Sequence, residues 1–361
     1  MNIFFDNIIF SLQKAGGISV VWYNLIKNSL NDKNINVNFL EYINCEKNYF
    51  RSKLNIHENQ ISKYSDKYLF LNRYKNFEGL SKDKHIFHSS YYRYEKGINA
   101  INITTIHDFT YEHYVRGLTQ KVHSYQKKKS IYNSQGIICI SENTKKDLLK
   151  IYPDIAKKIK VIYNAADDCF KPIEYSFYIE KKHNFLDFEY AIYVGDHNSK
   201  YKNFDLAVES CMISKLKLLI IGGNNLTQNE IYELTNKLGK QNFIQLTNVS
   251  NDELNYYYNK AFCLLYPSLY EGFGIPVLEA QAAGCPVIAS ECSSIPEVIG
   301  NKKLAILNPN ADKIAKLIKE LSHTSYFRKE SIEMGFEKTK QFSWSKNYKE
   351  TIEFYNELYK K

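Results

Sequence analysis

The chain has 361 residues, 44% of them hydrophobic and 15% aromatic, enough for two domains of ordinary size and too apolar for global disorder. Its 48 Lys and Arg against 39 Asp and Glu leave a formal net charge of +9, which points to an anionic partner. No zinc-ligand, RRM or KH signature accompanies that charge, so nucleic acid is not expected.

Seven cysteines without a CxxC spacing give neither a disulfide framework nor a zinc site. Residues 1–6 lack a basic n-region, and no apolar run is long enough to span a bilayer, so the expected location is cytoplasmic. Short apolar runs alternate with amphipathic stretches along the whole sequence, the pattern of α/β architecture with parallel sheets. In the first half the runs at 3–5, 37–40, 85–88, 101–106, 136–140 and 160–163 read as strands. Helices are predicted over 19–28 and over 142–151, the second capped by Ser141 and ended by Pro153. The triplet Lys127, Lys128, Lys129 reads as a solvated helix face, or else as a contact for anionic lipid headgroups.

After a polar stretch over 167–184, strands are predicted at 190–194, 217–221, 243–246, 261–266 and 286–289. Ser250 and Glu253 have the spacing of a capping box. The last segment, 347–361, has helical spacing in Tyr348, Ile352, Tyr355 and Leu358.

One block carries the chemistry. The run YEGFGIPVLEAQAAG over 270–284 follows a buried strand and sets Glu271 and Glu279 on either side of a glycine loop and a proline-started helix. Gly272 and Gly274 suit a tight turn and Pro276 the first helical position, which puts Glu279 in the first turn. Free backbone N–H groups at such a helix start attract phosphate. Two carboxylates in the same place would repel it, so the glutamates are read as binding hydroxyls, and the ligand as a nucleotide-sugar.

This block, continued by Ser294-Ile295-Pro296-Glu297-Val298, resembles the Glu-x7-Glu motif of retaining GT-B glycosyltransferases of family 4, in particular the mannosyltransferase-like enzymes of O-antigen and other bacterial surface polysaccharides. The resemblance implies two Rossmann-like, doubly wound parallel-sheet domains facing a central cleft. They would cover 1–165 (acceptor) and 166–340 (nucleotide-sugar), with a helix over 341–361 crossing back onto the first. It further implies that Glu271 holds the donor sugar and stabilises an oxocarbenium-like transition state, while Glu279 accepts the ribose hydroxyls. Gly272, Phe273, Gly274 and Ile275 would offer backbone N–H groups to the departing diphosphate.

Other positions follow from the same resemblance. Gly195 ends a strand as a glycine turn, and Lys202 with Asn203 would meet the donor diphosphate, Lys200 in reserve. Gly222 approaches the nucleotide, and Val249 lines the base pocket. In the first half Gly16 and Gly17 open a helix near the donor phosphate. His107 would contact the donor sugar and Asp108 the imidazole ring or the acceptor. Asn143 and Thr144 would shape the cleft, Lys145 would approach phosphate, and Asn164 lies in the hinge.

The expected donor is GDP-mannose or a GDP-deoxy-sugar, with a UDP-hexose or UDP-N-acetylhexosamine as alternative. The expected acceptor is a lipid-linked glycan, with peripheral contact to anionic inner-membrane lipids. No Asp-x-Asp motif is present, and neither a metal nor another cofactor is expected. A catalytically idle nucleotide-sugar-binding protein is the alternative of another class; the presence of His107, Lys202 and Glu271 weighs against it.

Overall fold

The computed structural model describes residues 1–155, 157–173 and 189–360. The chain divides into two compact units, Met1–Asn164 with Ser343–Lys361, and Ala165–Phe342. Of the polar stretch after Asp167, residues 174–184 lie outside the described ones.

The first unit is built on seven parallel strands: β1 (Asn2–Asp6), β2 (Asn36–Tyr42), β3 (Ile61–Tyr64), β4 (His85–Ser89), β5 (Ala100–Ile106), β6 (Gly136–Cys139) and β7 (Lys158–Val161). Their order is β3-β2-β1-β4-β5-β6-β7, which reverses between β1 and β4. β4, β5 and β6 are almost wholly buried, as parallel strands covered on both faces must be. β3 was not predicted. It reads Ile-Ser-Lys-Tyr with two exposed positions at the sheet edge, so it carries no run of apolar residues. β7 starts two residues before the predicted run, and its four residues are only half-buried.

The C-terminal helix Trp344–Tyr359 is part of this first unit. Phe354, Tyr355 and Leu358 join Ile3, Trp22 and Ile138 in its core. At the start of β6 a Cβ on Gly136 would lie 2.9 Å from the Phe354 ring, so the helix seats directly on the bare backbone there.

The second unit has six parallel strands, β8 (Tyr190–Val194), β9 (Lys217–Ile221), β10 (Phe243–Leu246), β11 (Cys263–Tyr266), β12 (Val287–Ser290) and β13 (Ala305–Ile306). Their order is β10-β9-β8-β11-β12-β13, with the reversal between β8 and β11. Both units therefore have the doubly wound topology expected, and each has a switch point at which such sheets bind ligands beyond their carboxyl ends. Among the described residues no helix is long and apolar enough to cross a membrane.

Candidate active site

In the second unit the buried strand β11 runs into Pro267 and Ser268 and reaches Glu271 just past the switch point. The following helix is Ile275–Ala282, one residue earlier than Pro276 suggested, so Glu279 stands in its second turn rather than its first. Gly274 precedes it with φ of 103°, where a Cβ would come 3.0 Å from Ile295. A side chain there would be both strained and crowded.

The Glu271 backbone is held from the loop after β12: its N–H donates to Ser293 Oγ at 2.8 Å and its carbonyl accepts from Ser294 Oγ at 2.9 Å. Its side chain accepts from Lys202 Nζ at 2.7 Å. Lys202 ends a 3-10 turn over Lys200–Lys202, and Asn203, left-handed at φ 54°, starts the helix Phe204–Ser214. That loop is stitched to the β11 loop by Leu269 N–H to Tyr201 O at 2.7 Å and Asn203 Nδ2 to Pro267 O at 3.2 Å. Two loops from either side of the switch point thus set a cation against a carboxylate, with side chains only 17% and 10% exposed.

The Tyr266 hydroxyl lies 3.5 Å from Lys202 Nζ. Burial and then the Glu271 carboxylate raise its phenol well above the ordinary value, so it remains a hydroxyl donor. Sequence reading missed Tyr266 and Ser293. Neither residue type signals function at a strand end or in a loop, although Ser294 lay within the recognised block.

Glu279 has separate company. Its Oε2 accepts from Tyr258 OH at 3.3 Å. Burial pushes its carboxyl up to about 7; the Tyr258 hydrogen bond opposes the shift and the charge of Asp167 adds to it. Gly195 and Gly222 follow β8 and β9, their N–H groups donating to Ile221 O at 3.0 Å and Leu246 O at 3.1 Å. Phe273 is buried, its ring 5.7 Å from that of Phe342. Gly272, Ile275 and Val249 are half-buried. Val249 follows the left-handed Asn248, ahead of the Ser250–Glu253 capping box. Lys200, the reserve, lies on a shallow groove between two helices with His197, Asp205, Glu230 and Lys237.

In the first unit Gly16 caps the helix Gly17–Asn31 without a side chain, leaving first-turn N–H groups at the carboxyl end of β1. The connection from β1 is not a plain loop, since Ile9–Leu12 forms one helical turn before Gly16. His107 follows β5 and is only 8% exposed. Burial lowers its imidazole to about 4; the carboxylate of Asp108 works against that shift and the Lys127 ammonium with it. A neutral imidazole at pH 7 can both donate and accept. Asp108 Oδ1 accepts from Thr110 N–H at 2.9 Å.

The lysine triplet differs from expectation. Lys128 and Lys129 are exposed, but Lys127 is fully buried, donating to Asp108 O at 2.9 Å and to Glu112 Oε2 at 2.8 Å. Successive helix residues are rotated by about 100°, so three adjacent lysines cannot share one face. Their helix, Leu118–Asn133, is inverted in polarity: His123, Gln126, Lys127 and Ser130 face inward while Leu118, Val122 and Tyr125 face solvent. Ser141 caps the helix Glu142–Ile151 as predicted. Thr144 is buried under that cap, and Lys145 pairs with Glu142 at 3.7 Å on the surface. The boundary between units falls after Asn164. Among the described residues no group of three or more His, Cys, Asp or Glu is placed to hold a metal ion.

Residues 176–338 match the family model described as glycosyl transferases group 1. The O-antigen chain mannosyltransferase B of Escherichia coli is 26% identical over 71% of this chain and 70% of its own length. The O-antigen chain mannosyltransferase RfbU of Salmonella typhimurium is 30% identical over 58% of this chain and 57% of its own. Among solved structures, Anabaena Alr3699/HepE in complex with UDP and glucose superposes with a TM-score of 0.72 at 14% identity, covering 99% of this chain and 100% of that one. That likeness extends to the whole GT-B fold.

Proposed function

We propose that this chain, whose residues 176–338 match the family model for glycosyl transferases group 1, is a glycosyltransferase that performs retaining transfer of a sugar from a nucleotide diphosphate-sugar to a hydroxyl of a lipid-linked glycan, in surface-polysaccharide synthesis. The observation that carries this reading is the Lys202–Glu271 pair, 2.7 Å apart beside the start of the helix Ile275–Ala282. A donor diphosphate offers Lys202 a second anionic partner. Glu271 then faces the sugar, where its charge stabilises the oxocarbenium-like transition state.

In this reading the bond from the sugar's anomeric carbon to the phosphate oxygen breaks, and the acceptor oxygen bonds to that carbon on the same face. The acceptor proton passes to the leaving phosphate oxygen. Lys202 and the N–H groups of Gly272 to Ile275 neutralise the departing diphosphate, a role that elsewhere falls to a metal ion. Glu279 and Tyr258 take the ribose hydroxyls. In the first unit the neutral His107, with Asp108, is assigned to sugar and acceptor hydroxyls, and the helix at Gly16 and Gly17 to phosphate.

The mannosyltransferase relatives favour GDP-mannose as donor. A UDP-hexose is the second reading, supported by the UDP and glucose bound in the Anabaena structure. The outward face of Leu118–Asn133 favours a peripheral place on an anionic membrane. It pairs exposed Leu118, Val122 and Tyr125 with Lys121, Lys128 and Lys129, and the helix contains no acidic residue.

Thermal-shift screening with GDP, UDP and their sugar conjugates in EDTA tests the donor and the metal independence together. A shift that appears only with added Mg²⁺ or Mn²⁺ would remove the latter. Glu271→Ala should lower turnover about 100- to 1,000-fold with nucleotide affinity little changed. Wild-type turnover in that variant would sink the role of Glu271.

A further inference from the structure

Lysine is expensive to bury, and a buried ammonium persists only where it is paired and hydrogen-bonded. Lys127 is 0% exposed and lies on the inward face of Leu118–Asn133, where an aliphatic residue would be usual. It reaches across to the turn that follows β5, donating to the carbonyl of Asp108 at 2.9 Å. The ammonium stands 4.5 Å from the centre of the Phe109 ring and 5.4 Å from that of Tyr92. Glu112 completes the arrangement: Oε2 accepts from Lys127 and Oε1 from Ser124 Oγ, both at 2.8 Å.

The residues that Lys127 touches are consecutive with the histidine: His107, then Asp108, whose carbonyl it holds, then Phe109, whose ring it covers. On the other side of the histidine, β5 pairs in register with β4 and β6. The backbone at His107 is thus held from before by the sheet and from after by the Lys127 ammonium and by the Thr110 N–H bond to Asp108. We propose that Lys127 is a positioning residue for transfer: by clamping the Asp108 carbonyl to the Leu118–Asn133 helix it sets the direction of the His107 imidazole and the Asp108 carboxylate. Lys127 touches no substrate in this account and acts through the turn. The inference rests on the reading of His107 given above.

A purely structural buried pair can be replaced by apolar residues of similar volume without loss of stability, and that separates the two roles. The variants Lys127→Met, Lys127→Met with Glu112→Leu, and His107→Ala are compared in the full chain. The readouts are thermal midpoint, nucleotide affinity, and release of GDP from GDP-mannose or of UDP from UDP-glucose. The double variant is expected to regain the thermal midpoint lost by Lys127→Met and to bind nucleotide normally. Its kcat should still fall about 10- to 100-fold, the cost of a displaced reacting group.

Wild-type kcat in the folded double variant, with His107→Ala inactive, would overturn the role of Lys127 alone. Wild-type kcat in His107→Ala would overturn the reading of His107 and this inference with it. Should Lys127→Met not fold, the double variant carries the test by itself.

Discussion

In the first unit the ion pairs Glu41–Arg51, His85–Glu95 and Asp6–Arg93 lie inside the fold, with no side chain among them more than 8% exposed. Every one has further polar neighbours. Asn7 Nδ2 donates to Glu41 at 2.7 Å, Tyr42 OH accepts from Arg93 at 2.9 Å, and His85 meets Asp83 O at 2.7 Å. In the second unit the pair Lys202–Glu271 sits past the strand ends at the switch point, and the strands beneath it are apolar. Two sheets of the same winding therefore use charge differently. The buried pairs of the first unit are closed in by further bonded partners, whereas in the reading proposed above the pair past the strand ends exchanges partners with a ligand. The surroundings decide how tightly each partner is held.

The comparison can be broken most directly at Asp6. Asp6→Ala would strand a buried guanidinium, and urea unfolding should show a loss of about 3–5 kcal/mol; a loss below about 1 kcal/mol would mean that Arg93 does not depend on Asp6 and that this pair is not closed in.

A smaller effect is expected on the outer face of Leu118–Asn133. Replacing both Lys128 and Lys129 by Ala should weaken binding to vesicles containing anionic lipid about 30-fold, at about 1 kcal/mol for each lysine near the surface. Equal binding by the variant would remove the membrane from the account of that helix.

Glu279 gives the smallest shift and sharpens the second unit's side of the contrast. Its carboxyl is raised from an ordinary 4.5 to about 7. Below pH 4.5 it is neutral folded and unfolded alike, and the stabilisation is whole. As pH climbs toward 7 the unfolded chain ionises first, so stability declines through that window. Ribose hydroxyls donate to the ionised form, and nucleotide affinity should therefore tighten about tenfold from pH 6 to pH 8. Glu279→Gln should flatten both profiles. A wild-type profile with a pH-independent nucleotide dissociation constant would remove the ribose assignment.

Much of this molecule was legible in its sequence. The apolar runs that became β5, β8, β9, β11 and β12 stood out because parallel strands are buried on both faces, and that signal survives without an alignment. The glycine loop, Pro276 and the two glutamates also stood out, because a strand feeding a helix N-terminus needs particular residue types at particular places. Two of the four edge strands, β3 and β13, did not show. β3 carries Ser and Lys and β13 has only two residues, so neither has enough apolar side chains to register.

The sequence by itself determined the α/β class, from apolar runs alternating with amphipathic stretches, and its resemblance to a family singled out Glu271, Glu279, Lys202 and His107 as candidates. Only the tertiary structure decided what those residues touch. It set Lys202 against Glu271 across 69 positions, put Tyr258 beneath Glu279, and turned Lys127 inward from a triplet whose neighbours face water. Pairing, burial and the shifts they impose on His107 and Glu279 arise between segments far apart in the chain. Local pattern fixes which groups are present; the packed environment fixes the charge and direction in which they work.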